Sequence, residues 1–437
     1  MSAGISAIGS RGMFGLSVGR YDFRYGLPGE QTDPEAGGKI DGLRNDGKVR
    51  AELNGNRRFP LITLAGSATS YQHSEIENTG QVATSFNLKT QTVNLTAKSA
   101  MGHATGAFGV NGLFKQYGAT GDEALTPAAD SKGGGVFVYE DIPLSTTERT
   151  NVPHLQLGAR YDSYNIDSKA GDAKFGSPRS LDFNAFSGSI GITLPLTHTS
   201  SLAVSGARAF RAPSVEELFS NAFHAAAGSY DVGNPDLKPE TNNGVEAVYR
   251  IQSGKIDAQF ATYYSAIANY VVPNISSDTT LDSGETVPLN HFGQGDATLK
   301  GVEGRIEETV APHLVVGAMT DVTRGSFRDG GNIPFMPAAR IGGHLRWDNG
   351  TFSVGSDVKH GLKQDKVTGG AIDVPTDAYT LLGINVGFSH MSGGLVHSVT
   401  LRADNLTDAR YRDATSRIKS FAYNPGRNFA VVYKVLF

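Results

Sequence analysis

Polarity along this chain repeats with a period of two. Leu155, Leu157, Ala159 and Tyr161 alternate with Gln156, Gly158, Arg160 and Asp162. Phe352, Val354 and Val358 alternate with Ser353, Asp357 and Lys359, and Val399, Leu401 and Ala403 alternate with Ser398, Thr400, Arg402 and Asp404. Ile256, Ala258 and Phe260 do the same against Asp257 and Gln259. Side chains of a strand point to opposite faces in turn, so each run predicts a strand with one apolar and one polar face. A soluble sandwich would give the same alternation. Here, however, the polar positions carry arginine, aspartate and lysine, which suits a polar interior and a lipid-facing exterior.

The connections carry the distinction further. Short turns fall at Arg11-Gly12, Ser253-Gly254, Asp348-Asn349-Gly350 and Ser392-Gly393-Gly394. Longer ones are expected over 26–38, 118–132, 166–179, 212–238, 272–290, 326–335, 362–375 and 409–424. Short and long connections alternate, as in a barrel with brief periplasmic turns and long extracellular loops. The reading gives about nineteen strands, where a closed bacterial barrel has an even number. The last strand places Phe429, Val431, Tyr433, Val435 and Phe437 on one face. The expected fold class is therefore all-β, a transmembrane antiparallel β-barrel, with residues 1–437 as one domain.

Composition narrows the chemistry. No stretch approaches the length of apolar residues that a membrane-spanning helix needs. The formal net charge of -4 disfavours a nucleic-acid partner, and the absence of cysteine removes disulfides, thiolate metal sites and cysteine nucleophiles. The 54 glycines, 16 tyrosines and 22 phenylalanines suit tight turns and aromatic girdles. Met1-Ser2-Ala3-Gly4-Ile5 has neither the basic start nor the apolar core of a signal peptide. The expectation is a truncated product, a mis-assigned start or a fragment. The reading expects no Gly-x-Ser-x-Gly elbow, no His-Glu-x-x-His and no Walker loop, so no constellation proposes an enzyme.

Arg208-Ala209-Phe210-Arg211-Ala212-Pro213-Ser214-Val215-Glu216-Glu217-Leu218 resembles a segment that TonB-dependent receptors carry at the top of a mid-barrel strand. The segment Gly233-Asn234-Pro235-Asp236-Leu237-Lys238-Pro239-Glu240 follows at the family's spacing. Arg402-Ala403-Asp404-Asn405-Leu406-Thr407-Asp408, Tyr411-Arg412 and Pro425-Gly426-Arg427-Asn428-Phe429 are similar to the family's last two strands. The physics of these motifs is that of scaffold. Pro213 stops the ladder, Ser214 caps a short helical turn whose Glu216 and Glu217 favour its N-terminus, and Gly426 permits a bend.

The resemblance implies a bacterial outer-membrane receptor for a scarce nutrient, zinc or a metal chelate such as a siderophore, energised by TonB. Its partners would be outer-membrane lipid and lipopolysaccharide, and the chain would be a monomer with no cofactor of its own. Family barrels have about 22 strands and enclose a plug, through which they reach the TonB complex. The plug and roughly three first strands are not recognised here. A passive, porin-like pore is the alternative.

Tyr25-Gly26-Leu27-Pro28-Gly29, Tyr71-Gln72-His73-Ser74-Glu75-Ile76-Glu77 and Arg417-Ile418-Lys419-Ser420-Phe421-Ala422 resemble the zinc-uptake branch. The first of these runs into Glu30-Gln31-Thr32-Asp33, without the histidines common in that branch. His73, Glu75 and Glu77 share a strand face, and imidazole with carboxylates is a reasonable zinc set. Strand neighbours two apart need help from another loop, for which His224 and Asp231 are candidates. A charged barrel rim explains the same residues. His103 is a weaker candidate.

Overall fold

The computed structural model describes residues 1–28, 37–121, 124–145, 151–224, 227–281 and 284–437. Gly29 and Glu30-Gln31-Thr32-Asp33 of the zinc-branch comparison therefore lie outside the described residues. Twenty-one strands are named. They begin with β1 (Ser2–Gly9), β2 (Gly12–Gly26), β3 (Lys39–Asn54), β4 (Leu61–Ile76), β5 (Val82–Met101), β6 (Ala104–Thr120) and β7 (Ala129–Pro143). Next come β8 (His154–Ser168), β9 (Ser180–Pro195), β10 (Ser200–Arg211), the helix α1 (Val215–Phe219), β11 (Asn221–His224) and β12 (Ser229–Val232). They are followed by β13 (Glu240–Gln252), β14 (Ile256–Thr280), β15 (Thr286–Ala311), β16 (Leu314–Phe327) and β17 (Arg340–Asp348). The last are β18 (Phe352–Gly361), β19 (Tyr379–Ser392), β20 (Leu395–Asp404) and β21 (Asn428–Leu436).

These strands form one 21-stranded sheet. Setting aside the four-residue strands β11 and β12, nineteen longer strands remain among the described residues, the number the sequence suggests. Long and short connections alternate as expected, with one correction. Residues 272–290 are mostly strand, because β14 and β15 run for 25 and 26 residues. A second correction concerns Gly15-Leu16-Ser17-Val18-Gly19, which does carry the Gly-x-Ser-x-Gly spacing but runs straight through β2 with no strand-to-helix turn. No helix among the described residues is long and apolar enough to cross a membrane.

The chain divides into two compact units. The first comprises 1–193, 205–243 and 267–296, and the second 194–204, 244–266 and 297–437. In the first, registered pairing of β2 through β6 sorts side chains cleanly by face. Phe14, Ala51, Leu64, Leu95 and Val110 form one cross-strand row, and Arg50, Ala65, Asn94 and Asn111 form the neighbouring row on the other face. In the second unit, Leu314, Trp347, Val354, Val386, Leu401 and Val431 share a row, while Arg346, Asn385 and Arg402 occupy the opposite face. Many apolar-row residues are exposed, Leu401 at 53% and Val431 at 71%, which only a lipid solvent makes favourable.

Little of the apolar content makes a conventional core. In the first unit Ala129, Ile166, Phe183, Leu218, Phe219, Leu237 and Val271 cluster where α1 and its flanking loops pack onto strand ends. This cluster fixes the long-loop end of the unit, where the candidate site lies.

Candidate functional site

Ser214 begins α1 with a capping box. Its hydroxyl accepts from the Glu217 amide, and the Glu217 carboxylate accepts from the Ser214 amide at 2.8 Å. So short a helix cannot be stable alone. Arg211, the last residue of β10, holds it from outside by donating to both Glu217 oxygens, at 2.8 and 3.0 Å. The same guanidinium donates twice to Glu240 at 2.8 Å, where β13 begins. Glu240 in turn accepts from the Val271 amide at 2.7 Å. One arginine thus ties the first family-like segment to the second, the scaffold role expected of both.

Beyond α1, β11 and β12 pair as a small hairpin, and β12 runs parallel to β15, setting Asp231 beside Asn290. Asp231 is 2% exposed. One carboxylate oxygen accepts from the Asn290 amide at 2.9 Å and from the Ser229 hydroxyl at 2.8 Å, and the other faces His224 Nδ1 at 3.0 Å. A buried carboxylate so supplied is held in place by its donors.

The residues expected on β4 separate. Counted from the short turn at 55–60, about eleven residues of β4 suffice to cross a membrane, so His73 and Glu75 stand beyond the span. His73 stacks on Phe86 at 4.5 Å and 11°. Burial holds its imidazole below the ordinary value. Burial likewise lifts the Glu75 carboxyl above the usual range, and the charge of His224 pulls it partway back. Glu75 therefore lies within electrostatic reach of His224. Glu77 lies one residue past the end of β4. β4 ends at Ile76, the register with β5 shifts there through the extra residue Ala83, and Glu77 accepts from Thr79 in the following turn. His103 follows β5 in a short turn, about 50 Å along that strand from the position opposite His73. Among the described residues, no three His, Cys, Asp or Glu side chains meet in a way that could hold a metal.

Around His73 the structure brings together residues the sequence reading missed. Tyr21, Phe23 and Tyr25 stack along β2 at 5.5 and 6.1 Å. Phe23 reaches Tyr71 of β4 at 6.0 Å, and Tyr71 lies 5.4 Å from His73. β3 intervenes, and it contributes Gly42, where an added Cβ would stand 2.2 Å from the Phe23 ring. The signal was present as a change of parity: Phe14, Leu16 and Val18 are even, whereas Tyr21, Phe23 and Tyr25 are odd.

The second unit has its own buried polar cluster. Lys419, on the loop between β20 and β21, donates to Asp373 at 2.7 Å and to the Ala414 carbonyl at 2.8 Å, with its ammonium 5.2 Å from the centre of the Phe335 ring. Asp373 also accepts from the amides of Phe335 and Thr368 and from the Thr368 hydroxyl. Both charged side chains are almost wholly buried, 1% and 2% exposed.

Comparison with known proteins gives this architecture a family. Residues 7–406 match the model of the TonB dependent receptor-like β-barrel. The heme/hemopexin utilization protein C of Haemophilus influenzae is 23% identical over 374 residues, 77% of this chain and 50% of that protein. The hemin receptor of Yersinia enterocolitica is 27% identical over 190 residues, covering 40% of this chain and 26% of that one. The chain spans about half the length, or less, of the curated relatives it matches. In fold it resembles the copper transporter OprC, with a TM-score of 0.79 at 15% identity over 99% of this chain and 71% of that one. It also resembles the FrpB iron transporter of Neisseria meningitidis, at 0.75 and 10% over 100% and 71%. This chain belongs to the TonB-dependent receptor β-barrel family, whose members are transmembrane barrels of the bacterial outer membrane.

Proposed function

We propose that this chain forms the barrel of an outer-membrane receptor that takes up haem, with the energy for import supplied through TonB. The observation that carries this reading is the match to proteins named for heme and hemin use, over 77% of the chain for the first and 40% for the second. The sorted faces fit it, with apolar rows against lipid and a charged opposite face. The Arg211 clamp ties α1 to the start of β13 at the long-loop end. Family membership favours this receptor over the passive pore.

Zinc is a second reading, favoured by the nearness of Glu75 to His224. Its ligands would be His73, Glu75, His224 and Asp231 after rearrangement of the hairpin, with Glu77 swinging back from its turn. Lipopolysaccharide would surround the exposed apolar rows. The test is calorimetry on the chain refolded in detergent, with hemin, zinc and a ferric siderophore in parallel. Hemin binding, with the other two silent, is the expected result. Binding of zinc alone, lost in a His73→Ala, His224→Ala double variant, would transfer the function to the zinc reading. Binding of the siderophore alone would remove both.

A further inference from the structure

The face that β2 through β5 turn away from the apolar rows is small and polar for most of its length, with a run of charges on β3. Glu52, Arg50, Lys48, Asp46 and Arg44 follow one another on β3. At the long-loop end this character changes abruptly to rings. Exposed aromatic surface is out of place on a polar wall, and a contiguous aromatic patch of this kind marks a binding surface.

We propose that Tyr21, Phe23, Tyr25, Tyr71, His73 and Phe86 form a docking wall for a tetrapyrrole, with Arg44 receiving one of its carboxylates. The proposal deepens the haem reading and rests on it. Three observations support it. The rings come from three strands and run unbroken over the intervening β3, linked at 4.5–6.1 Å with most planes within 23° of parallel, so the stack can be extended by another flat π-system. The rings at the two ends of the β2 stack are the open ones, Tyr21 at 63% and Tyr25 at 54% exposed. Arg44 stands in register with both Tyr21 and Tyr71. Its guanidinium is half exposed and meets Asp46 only at 3.7 Å, leaving donors to face a ligand carboxylate.

Gly42 is the structural condition for the wall. Any side chain there would collide with the Phe23 ring and push it off the line to Tyr71. The arrangement thus depends on glycine for close approach, and on the odd parity that brings the β2 rings to the polar face.

The experiment titrates the refolded chain in detergent with hemin, metal-free protoporphyrin IX and protoporphyrin dimethyl ester, following the porphyrin absorption band. Phe23→Leu with Tyr71→Leu should weaken all three at least tenfold, whereas Phe23→Tyr with Tyr71→Phe, which keeps both rings, should bind like the parent. Arg44→Gln should weaken hemin and the free acid several-fold and leave the dimethyl ester unchanged. Heat-dependent gel mobility verifies that each variant is folded, and if the leucine pair fails to fold, Gly42→Val supplies the disrupted wall. Parent-like affinity in the disrupted variants overturns the wall while the haem reading stands. If protoporphyrin binds with the expected sensitivity but hemin does not, the wall stands and the haem reading falls. If no porphyrin binds the parent, both fall.

Discussion

The Arg211 clamp of the first unit and the Lys419–Asp373 pair of the second use the same chemistry in opposite settings. Arg211 is 45% exposed and grips two carboxylates through four bonds. Lys419 and Asp373 are sealed from solvent and depend on each other, on two backbone amides, a threonine hydroxyl and a carbonyl. Charge near water gains little from pairing and loses little when the pair is broken. Charge away from water is costly unless fully supplied, so it holds its loops in one arrangement. The clamp orients, whereas the buried pair commits.

Lys419→Met is the strongest way to break this contrast. It leaves the Asp373 carboxylate buried without its cation and should cost about 3–5 kcal/mol, read as faster amide exchange through 362–376 and 409–424. Adding Asp373→Asn removes the stranded charge and should restore part of that loss. Full additivity of the two changes would mean that the residues do not act as a pair. Arg211→Ala should cost less, about 1–2 kcal/mol, confined to amides of α1 and the start of β13 and shrinking in high salt. An effect as large as that of Lys419→Met would erase the distinction between the two settings. Ser214→Ala should cost about 1 kcal/mol, seen at Glu217 by the same exchange measurement.

The smallest effect expected is that of Glu75→Gln. Burial raises the folded-state value of Glu75, so its contribution is fully present below the unfolded value and is lost as pH rises through the folded one. The neutral variant should therefore flatten the pH dependence of β4-end protection just above the ordinary carboxylate range. A steeper profile in the variant would reverse the assigned sign.

The two clusters also differ in how far the sequence announced them. Arg211, Ser214 and Glu217 lie within one contiguous string, so the cap and its scaffold role were legible from spacing alone. Lys419 and Asp373 are 46 residues apart on separate loops, and no local period links them. The strand faces were legible because alternation is local. The length of β14 and β15 was not, because their outer ends continue through residues with weak alternation. In the candidate site the alternation of β4 was legible through Glu75, whereas its end at Ile76, which leaves Glu77 in the turn, was not marked by any local break. The aromatic wall needed Gly42 on an intervening strand to be recognised.

The most direct test is a spin-label scan from Phe14 to Tyr25, where the chain's lack of native cysteine makes every introduced label unique. On the proposed arrangement β2 turns its even residues through Val18 to lipid and its odd residues from Tyr21 to a tetrapyrrole. Labels at 14, 16 and 18 should respond to dissolved oxygen and ignore a water-soluble relaxant, and paramagnetic hemin should broaden labels at 21 and 25 but not those three. Water accessibility at 14, 16 and 18, or hemin leaving 21 and 25 unchanged, would contradict it.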